Sequence, residues 1–337
     1  MLAPGRAAAC AALALALAAF AAPAASAAPV APEPLGIGME GYPYPFPVRF
    51  LPLSLDGQDL RMAYMDVAPA GAPNGRTVVL LHGKNFFGAY WEGPIRALAA
   101  AGFRVVVPDQ LGFGKSSKPD LHYTFELLAS CTKRLLDELG VKQAAVVGHS
   151  MGGMLATRFA LMYPDAVTQL ALENPIGLED YRAKVPYQSV EANYRNTLGQ
   201  TEESLRKFIG SYFVRWSDAY EPYVQVPYRW TLSAEYPRYA RASALTYDMI
   251  YTQPIVHDLP RLRVPTLLVI GQKDHTVVGR QLVPKEILAT MGDWPALGRA
   301  AAAAIPGARL AEVLDCGHIP HLEAPDRFRQ ALLEFLR

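Results

Sequence analysis

The stretch Val146-Val147-Gly148-His149-Ser150-Met151-Gly152-Gly153 decides how the rest of the chain reads. An apolar run, Ala144 to Val147, leads into it, and a helix-like pattern, Met154-Leu155-Ala156-Thr157-Arg158-Phe159-Ala160-Leu161, leads out. Strand, sharp turn with a central serine, then helix is the context that lifts a serine hydroxyl clear of a sheet. Gly148 and Gly152, two residues to either side, let strand and helix approach without a Cβ clash. Gly-x-Ser-x-Gly alone is weak evidence, since a chain of this length shows one by chance roughly once in ten. Its meaning rests on whether the chain supplies partners for Ser150.

Working outward, short apolar runs alternate with helical patterns. Val48 to Leu55 and Leu60 to Val67 alternate in polarity around Asp56-Gly57, which predicts an antiparallel hairpin at a sheet edge. Thr77–Leu81, Arg104–Val107, Ala144–Val147, Val167–Leu172, Val264–Ile270 and Arg309–Leu314 read as strands. Helical spacing covers Tyr90–Ala101, Tyr123–Leu139 up to the cap glycine Gly140, and Asp326–Leu336. This rhythm predicts the α/β class: a mostly parallel twisted sheet with helices on both faces, built from residues 48–175 and 259–337. Residues 176–258 contain no clean strand and are dense in Tyr, Trp and Arg. They read as a helical cap inserted at the carboxyl ends of the strands, where open α/β sheets bind ligands. Residues 28–47, rich in Pro, Gly and Tyr, read as an arm lying on the surface.

A serine hydroxyl needs a base, a group to orient that base, and donors for an oxyanion. In this type of sheet the order along the chain is Ser, acid, His, each at a strand end. His318, in Asp315-Cys316-Gly317-His318, follows the last strand and is the expected base, with His321 as its rival. Asp274, in Gly271-Gln272-Lys273-Asp274, follows the penultimate strand and is the expected acid; Glu173 and Asp315 are the alternatives. The backbone amides of Met151 and Lys84 are the expected oxyanion donors, with Asn85 as a substitute for Lys84. His82 and His149 read as structural. His318-x-x-His321 with Glu323 has the look of a metal motif, but no further ligand cluster accompanies it, so neither a metal nor an organic cofactor is expected.

Composition narrows the partners. The 337 residues are 51% hydrophobic with net charge +1, which leaves no bias toward nucleic acid or an anionic surface; a small-molecule substrate is the expected partner of the site above. Arg6, the Ala/Leu run from Ala7 to Ala22 and Ala25-Ser26-Ala27 read as a signal peptide over residues 1–27, cleaved after Ala27, which implies a periplasmic or secreted protein without stable membrane insertion. Cys131 and Cys316 would remain, expected as unpaired buried thiols.

Four motifs together resemble the α/β-hydrolases: His82-Gly83 with Trp91 downstream; Asp109-x-x-Gly112-x-Gly114-x-Ser116; Gly148-His149-Ser150-Met151-Gly152-Gly153; and Gly317-His318 with Glu323-x-Pro325. Within that family the chain is similar to the single-cap enzymes, which include small esterases, lactonases, C–C bond hydrolases, aminopeptidases for N-terminal proline, epoxide hydrolases and haloalkane dehalogenases. The last two use Asp at the nucleophile position, where this chain has Ser150, so the resemblance implies acyl transfer. It implies a serine hydrolase of a small carboxylic ester or lactone, with C–C hydrolase or proline-type aminopeptidase as alternatives. A ligand-binding protein on the same scaffold is the remaining one. Lys84-Asn85 departs from the Gly or Pro common after His-Gly and places a cation beside the site.

Overall fold

A computed structural model describes residues 1–2 and 32–337. The expected signal peptide, Met1 and Leu2 aside, and the first residues of the arm lie outside the described residues.

Eight strands form one sheet: β1 Val48–Leu55, β2 Gln58–Val67, β3 Thr77–Leu81, β4 Arg104–Pro108, β5 Ala144–His149, β6 Val167–Glu173, β7 Thr266–Gly271 and β8 Arg309–Val313. Their spatial order is β1-β2-β4-β3-β5-β6-β7-β8. β1 and β2 form the edge hairpin; Asp56 and Gly57 both have positive φ, 46° and 72°, as a tight two-residue turn requires. β2 runs antiparallel to β4, and every later pairing is parallel. Every residue of β5 and β7 is buried, the reason their sequences are apolar without alternation.

The chain passes from β3 outward to β4, then returns past β3 to β5. This reversal opens a crevice at the carboxyl ends of β3 and β5. β3 ends there at His82-Gly83-Lys84 and β5 at Ser150.

Helices α1 Glu92–Ala100, α2 Phe125–Glu138 and α3 Met151–Met162 precede four more between β6 and β7: α4 Val190–Leu198, α5 Glu202–Gly210, α6 Glu221–Thr231 and α7 Tyr236–Thr252. Then come α8 Lys285–Leu288, α9 Trp294–Ala304, α10 Pro320–Glu323 and α11 Pro325–Leu336. Two cores flank the sheet. Val79 and Leu81 of β3 face one, with Leu128 and Leu135 of α2, Phe159 of α3 and Trp294 of α9. Val78 and Leu80 face the other, with Ile95 and Leu98 of α1 and Phe328 and Leu332 of α11. Helix α9 carries little sequence signal because its apolar residues are mostly alanine; Gly298 fits it against Ile270 of β7.

The arm differs from the surface segment that its composition suggests. Leu35, Ile37 and Met39 are buried among Phe87, Val226, Trp230, Tyr236 and Tyr239. The Leu35 amide donates to the Arg229 carbonyl at 3.0 Å, and the Tyr44 hydroxyl donates to Asp109 Oδ2 at 2.6 Å. The three apolar residues alternate with Gly and Pro neighbours, which hides a buried turn, closed by Met39 N donating to the Gly36 carbonyl at 2.9 Å, inside a linker-like composition. Residues Glu33 to Arg337 accordingly form one compact unit that includes arm and cap segment alike. Met39→Ala should therefore cost about 2–5 kcal/mol in urea unfolding, as for a fully buried side chain. A change below about 0.5 kcal/mol, typical of surface substitutions, would mean that the arm does not stabilise the fold.

Candidate active site

The site is built on the β5–α3 turn. A Cβ on Gly152 would run into the Leu81 and His82 carbonyls of the β3 end, and one on Gly148 into the Gly152 carbonyl. The two glycines thus let the first turn of α3 press against β3, and Ser150 is left with φ 55° and ψ −120°. A non-glycine residue holds such a conformation only where its surroundings over-determine it. Here the Ser150 amide donates to the Glu173 carbonyl at 3.0 Å and the Ser150 carbonyl accepts from Gly153 N at 2.9 Å.

Two strand-end loops bring their predicted side chains to Ser150. His318 Nε2 lies 2.9 Å from Ser150 Oγ, and His318 Nδ1 lies 2.6 Å from Asp274 Oδ2. A carboxylate only accepts, so Nδ1 carries the proton and Nε2 is free to accept from the serine hydroxyl. Asp274 is in turn held at both oxygens: Oδ2 accepts from Asn174 Nδ2 and Oδ1 from the Thr276 amide, each at 2.8 Å. Asn174 stands just past β6 with φ 37°, and its own Oδ1 accepts from Gly271 N at 2.9 Å. Sequence reasoning missed Asn174. Its place directly after a strand end, the same logic that singles out Asp274 and His318, was the available signal.

The rival candidates are placed elsewhere. Glu173 takes the His321 amide at 2.6 Å and His321 Nδ1 at 2.9 Å, so the alternative acid and the alternative base are partners of each other. The His321 ring stacks on Trp91 at 4.2 Å. Asp315 is exposed. His318 and His321 therefore face different carboxylates.

His149 links the loops around the serine. Its Nε2 lies 2.9 Å from the His318 carbonyl, which can only accept, so Nε2 carries the proton. Nδ1 then accepts from the Tyr90 hydroxyl at 3.0 Å, and that hydroxyl accepts from the Gly83 amide at 3.0 Å. The result is a directed chain from the β3 loop, through the neighbour of Ser150, to the His318 loop. Burial holds His149 well below the usual imidazole range, which keeps it neutral and this tautomer fixed. His82 is likewise lowered by burial; its Nε2 accepts from Gln110 N at 2.9 Å and its Nδ1 faces the Gly83 carbonyl at 2.9 Å.

Among the described residues, neither the Met151 nor the Lys84 amide donates to a protein acceptor. Gly83 packs its backbone against Ser150 Cβ, and Met151 is the first residue of α3, where unpaired amides and the helix dipole favour negative charge. The arrangement has the parts for nucleophilic attack on a carbonyl: an activated hydroxyl, an oriented base, and free amides beside both. The cap segment closes over it. The Tyr212 ring stacks on His318 at 4.9 Å, and the Tyr212 carbonyl accepts from His318 N at 2.7 Å. Ser150, Asp274 and His318 are all buried. Cys131 and Cys316 are unpaired and buried, and burial raises both thiols above their ordinary range.

The alpha/beta hydrolase fold family matches residues 76–325. The chain belongs to that family. It is 30% identical over 294 residues to a 2-hydroxy-6-oxononadienedioate/2-hydroxy-6-oxononatrienedioate hydrolase of Paraburkholderia phymatum, covering 83% of this chain and 92% of that one. It is 27% identical to a 2-hydroxy-6-oxo-6-phenylhexa-2,4-dienoate hydrolase of Comamonas testosteroni, over 79% of this chain and 89% of the relative. Among solved structures, a probable hydrolytic enzyme from Pseudomonas aeruginosa PAO1 superposes with a TM-score of 0.89 at 48% identity, covering 90% of this chain and 99% of the other. The mostly parallel sheet of this hydrolase, with helices on both faces, is what the sequence leads one to expect.

Asn174→Ala removes one of the two side-chain donors that fix Asp274 Oδ2. With the imidazole less well oriented, kcat should fall by roughly 10- to 100-fold, since small misplacements of a catalytic group have effects of that order. Steady-state kinetics on variant protein with an unchanged circular dichroism spectrum checks this; wild-type kcat would show that Asp274 needs no such support.

Proposed function

We propose that this hydrolase cleaves a small carboxylic ester or lactone through an acyl-enzyme on Ser150. The observation that carries the reading is the continuous set of contacts from Ser150 Oγ to His318 Nε2 and from His318 Nδ1 to Asp274, beside two unpaired amides. His318 takes the serine proton as Oγ attacks the carbonyl carbon. The Met151 and Lys84 amides receive the oxyanion, each contributing on the order of 3 kcal/mol. His318 then protonates the leaving oxygen, and water repeats the sequence on the acyl-enzyme. Every proton in this scheme is moved by His318. The aromatic cap side chains, Tyr212 foremost, supply an apolar surface over the acyl group.

A second reading keeps the triad and changes the bond. The two relatives named as hydrolases of 2-hydroxy-6-oxo dienoates favour hydrolysis of a C–C bond next to a ketone. The aminopeptidase reading has less behind it. That chemistry needs cap carboxylates for a substrate ammonium, and Glu202 and Glu221 are both engaged by Arg206 and Gln225. With the leader removed, the enzyme would act in the periplasm or outside the cell.

Turnover of p-nitrophenyl esters, a 2-hydroxy-6-oxo dienoate and a prolyl anilide, compared side by side, separates the three bonds. For the preferred substrate, Ser150→Ala should lower kcat by about 10⁴- to 10⁶-fold. Retained ester hydrolysis in that variant, or failure of a fluorophosphonate to label Ser150 in the native protein, would point instead to a binding protein.

A further inference from the structure

Lys84 sits on the turn after β3, and its side chain leaves the site. The ammonium donates to the Ser243 carbonyl at 2.8 Å, Ser243 Oγ at 3.1 Å and Thr246 Oγ1 at 3.0 Å, all on α7. Three donors meet three acceptors, and none is a carboxylate. A buried ammonium without a counter-charge is an expensive arrangement, tolerable where all its protons are hydrogen-bonded. The next residue, Asn85, has φ 73°, and its Nδ2 donates to the Tyr212 hydroxyl at 3.3 Å. Tyr212, just past α5, is the residue stacked on His318. Two successive residues of one turn therefore grip two separate parts of the cap, and the amide of the first is the one left open beside Ser150.

We propose that Lys84 is a positioning residue that couples cap docking to the oxyanion turn: its ammonium pins α7, and only with α7 pinned does the Lys84 amide face the reacting carbonyl oxygen. The proposal rests on the acyl-transfer reading of Ser150. It makes the cap part of the catalytic geometry as well as a wall of the pocket.

The latch depends on charge. Burial alone lowers Lys84 from its ordinary value to about 7. No neighbouring charge enters beside burial, and the charged groups of the adjoining segments are committed elsewhere. On α7, Arg241 pairs with Asp120. On the segment after β4, Asp109 accepts from Tyr44, Gly88 N and Lys115 N, while the ammonium groups of Lys115 and Lys118 rest on backbone carbonyls. On its own turn, His82 is held by Gln110 and Gly83. As pH rises through about 7, Lys84 loses its third proton and can no longer satisfy three acceptors, so the latch holds below that pH and loosens above it. Stability moves the other way. An unfolded lysine keeps its proton up to about 10.4, so between these pH values the unfolded chain binds more protons at this site and the fold gains stability with rising pH.

The test uses wild-type protein, Lys84→Met, Lys84→Arg and the cap-side double variant Ser243→Ala/Thr246→Val. Each is assayed for kcat and KM on a p-nitrophenyl ester from pH 5 to 10, with fluorophosphonate labelling to count active sites. Wild type should show an alkaline fall in kcat beginning near pH 7. Lys84→Met should lower kcat by roughly 10- to 100-fold with KM changed less than about threefold, as expected when one oxyanion donor is misaligned but not removed, and should lack the alkaline fall. Lys84→Arg, charged throughout, should keep most of the activity and also lack the fall. The double variant should follow Lys84→Met, and it decides the question if Lys84→Met does not fold. Melting temperature should rise less steeply with pH in Lys84→Met than in wild type between pH 7 and 10. Wild-type kcat, or an unchanged alkaline fall, in folded Lys84→Met overturns the latch alone. A wild-type protein that neither turns over esters nor labels overturns the acyl-transfer reading and the latch with it.

Discussion

The structure depends on how closely the first turn of α3 approaches the end of β3. Two side chains of zero size, at Gly148 and Gly152, allow it. The approach places Ser150 in its strained conformation, sets its Oγ above the sheet, and brings the amide of Met151 beside the turn that carries Lys84. Almost any other residue at position 152 would meet the Leu81 and His82 carbonyls, and the backbone would have to separate. The strained conformation at Ser150 is held by its amide's bond to the Glu173 carbonyl of the neighbouring strand and by the Gly153 amide within the turn, so sheet and turn share the cost of an unfavourable φ.

Around this contact the site is assembled from strand ends. Asp274 follows β7, His318 follows β8, Asn174 follows β6, and Lys84 follows β3. That shared placement is why so much could be read from the sequence. A residue directly after a buried parallel strand has little freedom in where it points, so the position along the chain stands in for the position in space. The same logic explains why Glu173 and His321 were reasonable rivals. Both sit at the same level of the fold, one layer away, and only the register of the final turn sends them to each other.

What was not legible depends on contacts between distant segments. The destination of the Lys84 side chain is fixed by which part of the cap comes to lie over it, 159 residues along the chain. Tyr212 reaches His318 through a carbonyl and a ring face, and neither leaves a pattern in a sequence already crowded with tyrosines. The directed chain through Tyr90 and His149 needs the sheet to bring β5 beside the β3 loop before its residues have any relation. The arm was misjudged for a related reason. Proline and glycine signal irregular backbone, and irregular backbone is commonly exposed, yet here alternate apolar residues are buried against the cap.

That buried arm bears on the order in which the molecule can form. Leu35 and Met39 precede in the chain the surface that receives them, which α6 and α7 complete; the Arg229 contact to the Glu33 carbonyl spans 196 residues. The entropy of closing so long a loop grows only slowly with its length. The delay comes from the partner, which has no shape until the later helices pack. The arm is therefore a late-docking element, and until it seats, the aromatic surface of Phe87 and Trp230 stays uncovered, a transient sticky face of the kind that molecular chaperones bind.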